Sequence, residues 1–323
     1  MKWSLFAVLI GFGIDLLAGD PRSLPHPVVW IGKLISWLEE RLRRRFGKEP
    51  SQERIAGLVL WLITAILSAL VPALLLWICH MISPWLRLIV ESIMCWQILA
   101  ARSLNDETMK VYHALGKRDL KGARHAVSMI VGRDTDQLDE AGIIRAAVET
   151  VAENTSDGVI APLFYLVIFG APFGFFYKAV NTMDSMLGYQ DPPYTHFGWF
   201  PAKADDVMNF IPARISAFLM LAAGAILQMN SANGWKIFRR DRYKHASPNS
   251  AQTESMCAGL LGVQLAGDAW YRGVLHKKPF IGDPLRPVIP SDIPASCKLM
   301  YVTAVLALVL FCAVKAVLLY VPF

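Results

Sequence analysis

Residues 145–188 decide how this chain is read. They run Arg145-Ala-Ala-Val-Glu149-Thr-Val-Ala-Glu153-Asn154-Thr155-Ser156-Asp157-Gly158, cross an apolar stretch broken by Gly170-Ala-Pro172-Phe-Gly174, and close on Lys178-Ala-Val-Asn181-Thr182-Met183-Asp184-Ser185-Met186-Leu187-Gly188-Tyr189. Carboxylates, amides and hydroxyls therefore flank an apolar segment on both sides. An ionised side chain at mid-bilayer costs on the order of 2.5–3.5 kcal/mol, so Lys178, Asn181 and Asp184 beside apolar helix should be paired or used. The chemistry of the protein is expected there.

The wider composition supports a membrane setting. Of 323 residues, 54% are hydrophobic and only 18% charged, against about 25% charged in a soluble domain; mean hydropathy is +0.39. Residues 55–79 carry no charge, and a helix of that length reaches about 37 Å against a hydrocarbon core of about 30 Å. Residues 299–314 form a second candidate, extending past Lys315, which can snorkel. Residues 3–18 form a third, short and interrupted by Asp15. That acid fits a signal-peptide core poorly, so a retained first helix is expected. The fold expected is all-α: a polytopic integral membrane protein, a single domain over 1–323, with about four to six membrane-embedded helices.

Basic residues cluster in 20–54 (Arg22, Lys33, Arg41, Arg43, Arg44, Arg45, Lys48, Arg54), in 102–156 and in 236–244. This is the positive-inside pattern, which favours lipids over nucleic acid as the partner and places these loops in the cytoplasm. Region 102–156 reads as a soluble helical insertion, with helices near 103–115, 119–131 and 136–155. In the last, Ile143, Ile144, Ala147, Val148 and Val151 form an apolar stripe. Arg145, Glu149, Glu153 and Asp157 recur on the opposite face, which on spacing alone suits a solvated face. The five cysteines make no C-x-x-C pair and suggest neither disulfides nor zinc.

The break at 170–174 suggests a re-entrant hairpin, because twelve residues from Gly158 span only about 18 Å. One continuous span to Lys178 is the alternative. Lys178, Asn181, Asp184, Ser185 and Gly188 share a helical face, suited to a phosphate or Mg²⁺ or to a polar helix seam. Asp205-Asp206 are read at a helix start, as caps or metal ligands. Arg214 opens the next apolar helix as an interface anchor or anion ligand. Asp20 and His26 flank a proline-fixed turn. Arg133-Asp134 sit in a loop suited to an anion. Asp241, Arg242, His245, Ser247, Asn249, Ser250 and Glu254 make a further polar cluster. No P-loop or dinucleotide fingerprint is present.

Taken together these segments resemble the CobD/CbiB family of cobalamin biosynthesis. The elements that carry the resemblance are Asp15-Leu-Leu-Ala-Gly19-Asp20-Pro21 with Pro25-His26-Pro27, Val131-Gly132-Arg133-Asp134-Thr135, residues 149–158, residues 178–186, Asp205-Asp206, Pro212-Ala213-Arg214 and Ser247-Pro248-Asn249-Ser250. One departure stands out. Many members carry Gly-Gly-Pro-Asn-Tyr where this chain has Ala266-Gly267-Asp268-Ala269-Trp270, which puts any substrate contact there in doubt.

The resemblance implies a multi-pass inner-membrane enzyme with a cytoplasmic active site, an adenosylcobinamide-phosphate synthase-like carbon–nitrogen ligase. It would join adenosylcobyric acid, the corrinoid substrate, to aminopropanol or its phosphate, with ATP and Mg²⁺. It further implies catalytic roles for Glu149, Glu153, Asp157 and Asp184, and metal ligation by Asp184, Asp205 and Asp206. Substrate or phosphate contacts would fall to Asp20, His26, Arg133, Asp134, Asn154, Thr155, Lys178, Asn181, Ser185, Arg214, Ser247 and Asn249. The acidic row would then face the 178–188 helix across a substrate cleft. Homo-oligomers or other late membrane enzymes of the pathway are further expected partners. A membrane sensor and a transporter on the same scaffold are the alternatives. A sensor has little need for so many acids, and a transporter should show a second broken helix.

Overall fold

The computed structural model describes residues 2–21, 25–189 and 191–320. Arg22 of the first basic cluster and the residues beyond Tyr320 lie outside these. In chain order the helices are α1 (Lys2–Ala18), α2 (Pro27–Arg45), α3 (Pro50–Ile82), α4 (Pro84–Ile98), α5 (Ala101–Gly116), α6 (Leu120–Ser128) and α7 (Glu140–Asn154). A π-helical turn, Thr155–Ile160, follows α7. Then come α8 (Ala161–Phe169), α9 (Ala171–Leu187), α10 (Trp199–Met208), α11 (Phe210–Ile226), α12 (Ser231–Asp241), α13 (Ser250–Leu261) and, after four short strands, α14 (Asp292–Tyr320).

Local chemistry sets the boundaries. Proline occupies the first turn of α2, α3 and α4, where its missing N–H leaves no bond unmade. The Ser83 hydroxyl caps α4 by accepting from Trp85 N. Asp139 accepts from Gly142 N at 2.7 Å, which starts α7 at Glu140 rather than at the expected residue 136. The π-turn falls just before Pro162. Proline has no N–H to give a regular i−4 bond, and Thr155 Oγ1 already donates to Val151 O at 2.7 Å. Both loosen the α-helical ladder there.

The chain divides into two compact units, residues 1–100, 161–209 and 311–323 in one, residues 101–160 and 210–310 in the other. In the first unit, Ile31, Ile35 and Leu38 of α2, Leu60 of α3, Val180 and Met183 of α9, and Phe197 build a common core. The α8–α9 segment of this unit is a helical hairpin. Gly170 adopts φ +89°, open to glycine at little cost. Tyr177 stacks on Tyr165 with ring centroids 5.0 Å apart, whereas twelve residues of one straight helix would separate them by about 18 Å. A Cβ at Gly174 would come within 2.5 Å of Leu166 Cδ2, so glycine allows this close return. Lys315 donates to Ile168 O at 2.7 Å, which gives its ammonium one hydrogen-bond acceptor near the end of α8.

The second unit packs α5, α6, α7, α11, α12 and α13 around Ile143, Ile144, Val148, Phe238, Met256 and Leu260. All five residues of the expected α7 stripe are buried. The all-α expectation needs correction here. Strand β1 (Leu265–Ala266) pairs antiparallel with β4 (Phe280–Ile281), and β2 (Ala269–Tyr271) with β3 (Val274–His276). Arg272 and Gly273, at φ 51° and 76°, form the two-residue turn between β2 and β3, with the positive φ at both positions that such hairpins demand.

Among the described residues two helices are long and apolar enough to cross a membrane, Pro50–Ile82 and Asp292–Leu318, and α10 with α11 would add a third if they act as one span. Helix α1, with 17 residues, is short for a span. The chain is thus mostly helical and compatible with membrane insertion.

Candidate active site

In the second unit the acidic row is no solvated face. Glu149 and Arg133 side chains are each only 14% exposed, with Arg133 Nη2 2.8 Å from Glu149 Oε2. The other oxygen, Oε1, accepts from Ala266 N at 2.7 Å. The 266–270 segment therefore meets Glu149 through its backbone. One turn on, Glu153 Oε1 accepts from Ser250 Oγ at 2.8 Å. Asp157, in the π-turn, is half-buried. Asn154 Nδ2 donates back to Thr150 O at 3.0 Å, and Thr155 is buried against its own helix.

The neighbouring loops are held by the same kind of contact. Asp134 accepts from Arg272 N and Gly273 N at 3.2 and 2.7 Å, and so clamps the β2–β3 turn. Ser247 Oγ accepts from Asn249 N at 3.2 Å. Asn249 Oδ1 accepts from Arg214 Nη1 at 3.1 Å, and that guanidinium stacks 3.5 Å over the Phe210 ring.

Sequence reasoning left Glu254 out of its site set. It lies on α13 and is 5% exposed. Burial, then the charges of Glu153 and Glu149, push its carboxyl well above the usual carboxylate range, against Lys278 and Arg133. His245, whose Nδ1 accepts from Ser247 N at 3.1 Å, is moved down by burial, with Glu153 opposing. The available signal was the four-residue step from Ser250 to Glu254 within an Ala/Gly-rich helix.

The first unit gathers a second group. Asp20, His26, Gln97 and Lys178 line one cavity of about 410 Å³. His26 Nε2 lies 3.6 Å from Asp20 Oδ1, and its Nδ1 caps α2 by accepting from Val28 N. On α9, Asp184 is half-buried and Ser185 exposed, with Ser185 Oγ donating to Asn181 O. A Cβ at Gly188 would fall 2.0 Å from Asp184 Oδ1, so the glycine leaves room for that carboxylate.

Asp205 and Asp206 stand inside α10, not at its start, which corrects the expected placement. Asp205 is buried and accepts from Asn181 Nδ2 at 3.3 Å and Asn209 Nδ2 at 2.9 Å; Tyr177 OH donates to Asn209 Oδ1 at 2.7 Å. Asp206 instead meets Lys203 Nζ at 2.8 Å. Among the described residues no group of three or more His, Cys, Asp or Glu side chains is placed to hold a metal ion. The four buried cysteines and Cys312 are all free thiols.

A helical chain with two membrane-length helices and partly buried, partnered carboxylates defines a membrane-compatible helical protein equipped for polar chemistry. The family described as CobD/Cbib protein matches residues 8–300. Curated relatives carry the name Cobalamin biosynthesis protein CobD. One from Clostridium tetani (strain Massachusetts / E88) is 46% identical over 307 residues, 95% of this chain and 96% of its own. One from Klebsiella pneumoniae subsp. pneumoniae is 45% identical over 312 residues, 97% and 98%. One from Photorhabdus laumondii subsp. laumondii is 43% identical over 315 residues, 98% of each. No solved structure matches the chain. The chain belongs to the CobD/CbiB family of cobalamin biosynthesis.

Proposed function

We propose that this protein is an ATP-dependent amide ligase, joining a carboxylate of adenosylcobyric acid to the amine of aminopropanol or its phosphate. The product is adenosylcobinamide or its phosphate. Beyond family membership, the observation that carries the reading is the acidic row on α7. Glu149 and Glu153 are partly buried and fixed by partners far along the chain, as groups that act on a substrate need to be.

A carboxylate does not acylate an amine unaided. ATP would transfer its terminal phosphoryl group to the substrate carboxylate, giving an acyl phosphate and ADP. The amine would then form the C–N bond and expel phosphate, with a carboxylate of the α7 row taking the ammonium proton. Lys178, which lines a cavity with Asp20 and His26, is a cation suited to transferring phosphoryl oxygens. Mg²⁺ would arrive with the nucleotide, because it keeps waters and phosphates in its shell and needs only one or two protein carboxylates. Asp184, on the polar face of α9 with Asn181 and Ser185 and given room by Gly188, is the carboxylate proposed to meet it. ATP use places the site at the cytoplasmic face.

The test is an amide-forming assay on purified protein with adenosylcobyric acid, MgATP and aminopropanol phosphate or aminopropanol, read by mass spectrometry. A product at the mass of the amide, made only with ATP, is expected. Its absence under all amine conditions, with protein shown to be folded, sinks the reading.

A further inference from the structure

Helix α13 is buried at every residue from Ser250 to Leu260. Ser250 and Glu254, four apart, share one face of it, and Ser250 reaches Glu153 on α7. On the two elements this contact joins, two buried side-chain atoms have no hydrogen-bond partner among the described residues: Glu254 Oε2 on α13 and Ser156 Oγ in the π-turn that continues α7. Ser156 is 1% exposed and lies three residues beyond Glu153. A carboxylate without a donor is strongly disfavoured in the interior unless a proton or a cation joins it. Three glutamates, 149, 153 and 254, meet two cations there, Arg133 and Lys278. Arg133 is committed to Glu149 and Lys278 to Tyr271. Glu149 and Glu153 retain some exposure while Glu254 does not, so the cluster has an open side and a closed end.

We infer that Glu254, with Glu153 and Ser156, forms the subsite for a primary ammonium group, that of the amine substrate; this rests on the amide-ligase reading above. An ammonium carries three N–H donors and one positive charge. The unpartnered oxygens and the excess of carboxylates match that inventory. A metal ion fits less well, since no three ligating side chains converge among the described residues.

The experiment is equilibrium dialysis of radiolabelled aminopropanol against full-length protein in detergent, with adenosylcobyric acid present and ATP withheld, with and without Mg²⁺. Wild type should bind, methylammonium should compete, and propane-1,2-diol, which lacks the amine, should not. Glu254→Gln should weaken binding at least tenfold and raise KM for the amine in the amide assay by a similar factor, leaving KM for ATP within about threefold. Unchanged amine affinity in Glu254→Gln overturns the subsite. So does a variant whose defect is an increased Mg²⁺ requirement. If Glu254→Gln does not fold, Ser156→Ala decides: about threefold weaker binding supports the subsite and unchanged binding overturns it. The two readings separate cleanly. Amine binding lost in Glu254→Gln, with no amide made by wild type, removes the ligase reading and keeps the subsite. Amide made normally by both proteins removes the subsite and keeps the ligase.

Discussion

Glu149–Glu153 on α7 and Asp205–Asp206 on α10 look alike as text: close pairs of acids in helical sequence near apolar segments. They differ in what holds them. Glu149 is fastened by Arg133 and Ala266, and Glu153 by Ser250, residues 16, 117 and 97 positions away. Asp205 and Asp206 each take a partner from their own neighbourhood, Asn209 four residues on and Lys203 three residues back, and Asp205 also takes Asn181 on α9. Long-range fastening fixes a carboxylate relative to other segments, as a substrate site demands. Local satisfaction mainly stabilises the helix that carries it. The comparison therefore ranks α7 above α10 as the chemical centre, and it can be broken.

The largest effect is expected from a third kind of carboxylate. Asp184 is half-buried, and Gly188 leaves it room. As the proposed contact to the Mg²⁺–phosphate, Asp184→Asn should abolish turnover while membrane insertion and detergent elution stay normal. Near-wild-type activity would remove Asp184 from the site.

Next come Glu153→Gln and Glu149→Gln. A general base or substrate-positioning acid should cost at least about 10²-fold in rate. A solvated ion pair is worth only about 0–1 kcal/mol, so under that reading both changes would be nearly silent. Less than a few-fold loss for both, with matched expression, would erase the distinction between α7 and α10.

Much of the frame was legible because bulk apolarity and breakers act locally. The charge-free run 55–79 is α3, and the Gly170–Gly174 break is the α8–α9 reversal. The α7 stripe is buried as its 3.6-residue period demands. What was hidden depends on tertiary neighbours. Strands of two and three residues are too short to show alternation, and β1–β4 exist because residues far apart in the chain pair. Asp205-Asp206 read as a helix start because the loop before them is aromatic and proline-bearing, yet α10 already begins at Trp199. Glu254 stands in a polar cluster in the sequence, but its weight is hidden there because α13 is buried on all sides, so only the single four-residue step from Ser250 marks a shared face.

Asp241 sharpens the comparison from the side of stability. It is fully buried, yet its partners Arg240 and Lys244 are 42% and 39% exposed. Burial alone would raise its carboxyl, but hydrogen bonds from Arg240, Lys244 and Gly282 N–H outweigh that and hold it far below the usual range. A depressed folded-state value stabilises the fold above the unfolded pKa of about 4, and the contribution fades as pH falls below that. Asp241→Asn should therefore cost about 2 kcal/mol near neutral pH, less than the roughly 3–5 of a fully buried pair. The gap from wild type should narrow below about pH 4. Denaturant unfolding in detergent at pH 7 and pH 3.5 measures both. An equal gap at the two values would mean that lost packing, not the ion pair, sets the cost.

The smallest effect is expected at Asp206. Its Lys203 partner is 59% exposed and three residues away on the same helix, so water screens the pair and holding both side chains costs rotamer freedom. Such a contact contributes about 0–1 kcal/mol. Asp206→Asn should leave stability within that range and amide-forming activity within about twofold, a factor worth roughly 0.4 kcal/mol. Asp205→Asn, run beside it, exchanges one buried acceptor oxygen for a donor facing the amides of Asn181 and Asn209, so its loss should appear in unfolding before it appears in the Mg²⁺ dependence of turnover. If Asp206→Asn instead raised the Mg²⁺ requirement tenfold with stability unchanged, Asp206 would be a metal contact. Local satisfaction in α10 would then be a resting arrangement that substrate displaces, and the ranking of α7 over α10 would fall.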